Sequence, residues 1–147
     1  MIRTLTIPTT RQGLHDITRE VQRVVADSGV DSGLCTVFVQ HTSASLIIQE
    51  NADPAVRHDL ENFFNRLVPE NDPHYTHTDE GPDDMPSHIK GVLTATSLSI
   101  PVLHRRLTLG TWQGIYLWEH RAVPPGGSRD RRVVVAVLSD MPNPRGG

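Results

Sequence analysis

The sequence predicts a single-domain α+β fold, mainly antiparallel strands with about three helices packed as one layer pair. Three observations lead there. Short runs rich in β-branched and apolar residues recur along the chain, bounded by Gly, Pro or polar residues. Three other stretches either space their apolar residues with a helical period or open on an acidic residue followed closely by proline. Strands and helices do not alternate regularly, which excludes a Rossmann-type sheet and a TIM barrel.

Residues 2–7, IRTLTI, set Ile2, Thr4 and Thr6 against Arg3, Leu5 and Ile7, an edge strand that ends at Pro8. From Leu14 the period changes: Leu14, Ile17, Val21, Val24 and Val25 fall on one helical face, and Gly29 supplies the stop. LCTVFVQ (34–40) is β-branched and apolar, a strand buried on both faces, and ASLIIQE (44–50) is a second strand. Asp53 before Pro54 opens a helix, because the carboxylate caps it and the proline ring already fixes helical φ. Val56, Leu60, Phe63, Phe64 and Leu67 line one face of it, and Pro69 follows.

After a polar segment, Asp83 or Asp84 caps a third helix with Pro86 in its first turn. Strands follow at 96–102, 105–110, 112–121 and 131–139, the last two joined into a hairpin by the Gly/Pro-rich stretch PPGGSRDR. In the strand at 112–121, Trp112, Tyr116, Trp118 and His120 share one face; Gln113, Ile115, Leu117, Glu119 and Arg121 share the other. Neither face is plainly polar, so both need cover, and in so small a chain another subunit is a natural second cover.

The 147 residues form one domain, 1–147, ending in a flexible tail at about 141–147. Hydrophobic residues at 37% and charged residues at 21% describe a soluble globular protein. With 14 basic against 17 acidic residues, the net charge of −3 opposes a role in nucleic-acid binding, which needs a basic surface. No apolar run reaches the length of a membrane span, and the N-terminus lacks a signal-peptide pattern. One cysteine, Cys35, excludes a disulfide framework and a Cys-rich zinc site and fits the reducing cytoplasm. Any transition metal must therefore be held by His and carboxylate, and the chain has eight histidines.

His41 stands at the end of the buried strand 34–40, placed to reach a cleft. Thr42, Ser43 and Ser45 beside it either receive an anion or phosphate or simply satisfy a turn. HYTHTDEGPDDMPSHIK (74–90) then gathers His74, His77 and His88 among acidic residues. His88 falls in the first turn of the third helix, where the helix dipole favours the neutral imidazole that a metal requires. Among Glu80, Asp83 and Asp84, one serves as general base or orients an imidazole, or Asp83 or Asp84 merely caps the helix. Glu50 precedes the capped helix with no evident structural duty. Glu119 and Arg121 form an ion pair, either beside a cleft or at the solvated end of their strand.

The blocks QHTSASLIIQENADPAVRHDLENFFNRLVPE (40–70), EGPDDMPSHIK (80–90) and LGTWQGIYLWEHR (109–121) resemble the signature blocks of the YjbQ family, also called UPF0047. The resemblance covers nearly the whole chain. It implies a β-sandwich-like sheet, a homotrimer, and a metal at a histidine cluster in the cleft between subunits. By position, His41, His77 and His88 become the ligands of a divalent transition metal, zinc foremost. Glu80 lies beside His77 in the same block; Glu80, Asp84 and Glu50 are the candidate catalytic carboxylates, and Ser43, Ser45, Trp112, Gln113 and Arg121 the candidate substrate contacts.

The activity implied is that of a secondary thiamine-phosphate synthase, a transferase joining hydroxymethylpyrimidine diphosphate to a thiazole phosphate. Histidine ligands suit zinc or iron better than the Mg²⁺ such a diphosphate usually takes. A metal-dependent hydrolase or lyase acting on another small phosphorylated substrate is the chemical alternative. A non-catalytic trimeric metabolite-binding protein is the alternative outside enzymology.

Overall fold

Successive side chains of a strand point to opposite faces, and burial along β8 (Arg129–Ser139) follows that period of two although 133–138 is apolar throughout. In this computed structural model, which describes residues 1–142, Arg131, Val133, Val135 and Val137 of β8 are buried. The tail expected at 141–147 lies, from residue 143 onward, outside the described residues. β8 lies between β1 and β3 in a five-stranded sheet of order β1-β8-β3-β5-β6, with β1 at Ile2–Thr9, β3 at Gly33–Val39, β5 at Ser97–Leu103 and β6 at Arg106–Leu107. A three-stranded sheet, β2-β7-β4, is formed by Gly13–Asp16, Gln113–Glu119 and Ala44–Glu50. Every strand pairing in both sheets is antiparallel.

Three helices complete the domain among the described residues: α1 (Thr18–Ser28), α2 (Pro54–Leu67) and α3 (Asp84–Leu93). One core cluster joins Val21, Val24 and Val25 of α1 to Cys35, Val37 and Val39 of β3, Ile115 and Leu117 of β7, and Val133, Val135 and Val137 of β8. α2 starts as its sequence requires, with Asp53 Oδ1 accepting from the Ala55 amide at 2.9 Å and Pro54 as the first helical residue. α1 ends on Gly29 in the left-handed region, φ 69°.

Several expectations change. Residues 13–16, expected partly as helix, form a strand on β7, and α1 begins only at Thr18. Asp16 makes the switch: its Oδ1 accepts from the Thr18 amide at 2.9 Å and the Thr18 hydroxyl at 2.7 Å, a local turn that ends one element and opens the next. β3 is buried on one face only, since Leu34 and Phe38 remain 41% and 44% exposed.

The strands at 112–121 and 131–139 do not form a hairpin. β7 pairs with β2 and β4, whereas β8 pairs with β1 and β3, so the chain crosses between sheets there. With β8 in the other sheet, β7 presents one face to the main core and the other to α2. Its Ile115 and Leu117 enter the main core, and its Tyr116 and Trp118 join Leu14 under Leu60 and Phe64 of α2. The Phe64 and Trp118 ring centroids are 4.5 Å apart. The second cover of β7 is therefore α2 of the same chain, where the sequence suggested another subunit.

Candidate functional site

The first turn of α3 concentrates the chemistry. Asp83 occupies the N-cap position, yet its carboxylate makes no capping bond to the helix. Its Oδ2 instead accepts from Arg121 Nε and the Ala122 amide, both at 2.9 Å. Asp84 begins the helix with its side chain only 2% exposed. Its Oδ1 accepts from Arg121 Nη1 at 2.7 Å; its Oδ2 faces His77 Nε2 at 2.6 Å and His88 Nε2 at 3.2 Å. The expectation that Asp83 or Asp84 caps the helix by its side chain is thus replaced by a network reaching across the fold.

Helical geometry explains one of these contacts: His88 lies four residues after Asp84, directly above it on the same face. This is the second turn of the helix, not the first. His77 comes from the irregular segment before α3, and its return depends on Gly81, whose φ of 96° suits glycine. At that turn the Glu80 carbonyl accepts from Arg121 Nη2 at 2.9 Å. Glu80 Oε2 stands 3.6 Å from His77 Nε2, too long for a hydrogen bond.

The electrostatics follow from these contacts. The hydrogen bond to Asp84 raises the His77 pKa, more than burial lowers it. Burial alone would raise the Asp84 carboxyl, but the His77 hydrogen bond and the Arg121 charge outweigh it and hold the group below the usual carboxylate range. Burial likewise opposes ionisation of Asp83 and is overcome by its hydrogen bond from Arg121. Side chains of His77 and His88 keep 42% and 36% exposure, so water reaches both rings.

One donor atom each from His77, Asp84 and His88 lies within 4.8 Å of the other two. Two imidazole nitrogens and a carboxylate oxygen form a donor set that catalytic zinc and mononuclear iron both accept. Donors at about 2.0–2.1 Å from a tetrahedral ion sit about 3.3 Å from one another. The His88–Asp84 separation of 3.2 Å already matches, and His77 at 2.6 Å would draw back by less than an ångström. The donor chemistry and these two separations suit a metal, with the two imidazole nitrogens within 4.8 Å of each other. A recess of about 330 Å³ beside them is lined by Asp72, Tyr75, His77, Thr78 and Met85, among others.

Of the candidates from the sequence, the fold thus gathers His77, His88, Asp84, Glu80 and Arg121. The rest stand elsewhere. His41 is exposed, contributes no atom to the grouping, and accepts through Nδ1 from the Ser43 amide at 3.0 Å. Its pKa is lowered by partial burial and by Arg131 and Arg121, against an opposing pull from Glu119. Glu50 faces the start of α2, where its Oε2 meets the Asp53 amide at 3.4 Å. Ser43 is buried, and the Ser45 hydroxyl is sealed against His120 Nε2 at 2.8 Å. Trp112 is exposed; Gln113 takes the Gly110 amide at 2.8 Å and lines a separate recess of about 660 Å³. That recess is larger than the one by His77, but among the described residues no grouping of metal donors lies in it.

The expected Glu119–Arg121 ion pair is absent. Glu119 pairs with Arg131 at 2.7 Å and accepts the Thr9 hydroxyl at 2.6 Å, deep between the sheets, while Arg121 turns to α3. This sealed network, with His120 and Ser45 next to it, was not legible as a unit. Its local signals are two charges that continue apolar inward faces, Arg131 in line with Val133, Val135 and Val137 of β8 and Glu119 in line with Ile115 and Leu117 of β7.

Fold and grouping together define a class: a small two-sheet α+β protein with a partly exposed two-histidine, one-carboxylate centre at the start of a helix. The model of UPF0047 protein YjbQ-like sequences matches residues 3–140, and the chain belongs to that family. It is similar to a UPF0047 protein of Synechocystis sp., 55% identical over 137 residues that cover 93% of this chain and 90% of the relative. It also resembles the UPF0047 protein YjbQ of Escherichia coli O157:H7, 52% identical over 128 residues, 86% and 91% of the two chains. Among solved structures, a YjbQ/UPF0047 protein of Clostridium acetobutylicum superposes with a TM-score of 0.79 at 37% identity, covering 94% of this chain and 99% of that one. A conserved hypothetical protein of Thermus thermophilus superposes with a TM-score of 0.80 at 35% identity, covering 92% and 99%.

Proposed function

We propose that the chain is a small-molecule enzyme built on a divalent transition metal, zinc foremost, held by His77 Nε2, His88 Nε2 and Asp84 Oδ2. The observation that carries this reading is the convergence of both imidazole nitrogens on one buried carboxylate oxygen, at 2.6 and 3.2 Å. When bound, the ion supplies Lewis acidity and a water that loses its proton near neutral pH. Asp84, engaged by three donors, acts as ligand and not as proton carrier. Glu80, exposed and 3.6 Å from His77 Nε2, is the carboxylate free to move a proton at a substrate. The neighbouring recess of about 330 Å³ suits a small molecule.

Hydrolysis or elimination on a small phosphorylated substrate suits this donor set best. Thiamine-phosphate synthesis is then a side activity, because Arg121, the cation beside the centre, is occupied by carboxylates and is not free for a diphosphate. The exposed His41 joins such a centre from a neighbouring copy in a homotrimer. A reducing cytoplasm suits the unpaired thiol of Cys35, which burial raises to a pKa of about 11.

Elemental analysis of protein purified without added metal tests the reading, alongside Asp84→Ala and His88→Ala. Stoichiometric zinc or iron in the wild type and its loss from both folded variants is the expected result. Full metal content in both variants, or no uptake by the wild type from added Zn²⁺ or Co²⁺, defeats it.

A further inference from the structure

We propose that Arg121 is a positioning residue for the metal centre: it takes up Asp84 Oδ1 and so presents Oδ2 alone to the two imidazoles. This rests on the reading of His77, Asp84 and His88 as metal ligands. A free carboxylate can bind an ion through either oxygen or both, and it rotates among these options. Here the choice is removed. Asp84 Oδ1 lies 2.7 Å from Arg121 Nη1, and the carboxylate is almost wholly buried, so no water competes for that oxygen.

The guanidinium is fixed on every side. Nε donates to Asp83 Oδ2 at 2.9 Å, Nη1 to Asp84, and Nη2 to the Glu80 carbonyl at 2.9 Å. One rigid planar fork therefore ties together the helix start, the carboxylate ligand and the turn that returns His77. A lysine ammonium, a point charge on a flexible stem, cannot span the same three acceptors in one plane. A substrate anion reaching Arg121 would have to displace a buried carboxylate, which is why positioning fits it better than substrate binding.

Two effects of removing Arg121 oppose each other. Loss of a positive charge near the ion favours metal binding, whereas loss of the orienting partner disfavours it. Partners that orient a ligand typically contribute about 10–100-fold in metal affinity, so orientation wins and affinity falls. The sign is thus a test in itself.

The experiment is a Co²⁺ titration against a competing chelator, read by the visible d–d absorption of the bound ion. It compares wild type with Arg121→Gln, Arg121→Lys and Asp83→Ala, each checked for folding by circular dichroism. Arg121→Gln should weaken Co²⁺ by about 10–100-fold and change the d–d band, because the released carboxylate can bind through both oxygens. Arg121→Lys should recover only part of that loss. Asp83→Ala, which removes one anchor of the guanidinium and leaves Asp84 in place, should give a smaller loss of the same sign. Unchanged or tighter Co²⁺ binding in folded Arg121→Gln, or full recovery in Arg121→Lys, overturns the positioning role and leaves the metal reading intact. A wild type that takes up no Co²⁺ overturns the metal reading itself. If Arg121→Gln fails to fold, Asp83→Ala decides: wild-type affinity and an unaltered band overturn the proposal.

Discussion

Two polar clusters in this molecule use the same ingredients, a carboxylate, an arginine and histidine, and end in opposite conditions. At Glu119, Oε1 accepts from Thr9 Oγ1 and Arg131 Nε, and Oε2 from Arg131 Nη2 and the Arg121 amide. All of its side chain is buried, Arg131 keeps 5% exposure, and four donors satisfy the two oxygens. Burial pushes its carboxyl up, and the Arg131 and Thr9 hydrogen bonds more than reverse that. At Asp84 the carboxylate is equally buried, but its two imidazole partners stand in water. What separates the two clusters is thus the exposure of the partners, not the residue types. In the first cluster both carboxylate oxygens of Glu119 are committed, and only the Nδ1 of the adjoining His120 is buried without a partner; in the second, two partly exposed ring nitrogens face one oxygen from the solvent side.

That contrast can be broken at its sealed end first. Arg131→Met leaves Glu119 charged and unpaired between the sheets and should cost about 3–5 kcal/mol in urea denaturation. A loss under about 1 kcal/mol would mean that water enters this core. His120, stacked near Trp118 and fully buried, gives the next effect. Burial, with Lys90 adding to it, lowers its pKa from the ordinary 6.5 to about 3. Between those values the unfolded chain binds the proton and the folded chain does not. Stability from this group is therefore complete above about pH 6.5 and declines as pH falls toward about 3. The slope should be about 1.4 kcal/mol per pH unit, and His120→Asn should flatten it in denaturation curves taken from pH 6.5 downward. An identical slope in the variant would assign the acid limb to other groups.

The open cluster should respond in metal binding more than in stability. Asp84→Asn should lower Zn²⁺ affinity by about 100-fold, about 2.7 kcal/mol, by isothermal titration, without a comparable loss of apo-protein stability. Equal losses in both would place Asp84 with Glu119 as a structural group. Smallest is Glu80→Gln: apo stability should move by less than about 0.5 kcal/mol and metal content should not change. Any turnover found for the wild type should fall, and a variant of full activity would remove Glu80 from proton transfer.

The elements were legible where local chemistry decides them. Asp53–Pro54 fixes the start of α2, Gly29 the end of α1, and the strands at 34–40 and 131–139 carry runs of β-branched and apolar residues. Residues 13–16 were not, because Leu14 and Ile17 extend the helical spacing of Val21, Val24 and Val25 backward, and only pairing to β7 makes 13–16 a strand. The mistaken hairpin has a similar cause: a Gly/Pro-rich turn permits pairing of its flanks without requiring it. In the site, His77, Glu80, Asp84 and His88 lie within twelve residues and could be read as a group. Arg121 is 37 residues from Asp84, and Thr9 is 110 from Glu119, so no spacing in the sequence announces either contact.

β7 gives these distances a common origin. Its odd-numbered residues Ile115, Leu117 and Glu119 are set against the sheet core and Arg131, while Tyr116, Trp118 and the adjoining His120 are set against α2 and Ser45. The segment is in effect a ruler with two scales, and Arg121 is the mark just past its end that meets α3. Deleting a single residue within 113–119 would exchange odd for even, send Tyr and Trp toward the valine core and withdraw the guanidinium from Asp84 in the same step. Insertions and deletions in this strand are therefore expected to be tolerated, if at all, only in pairs.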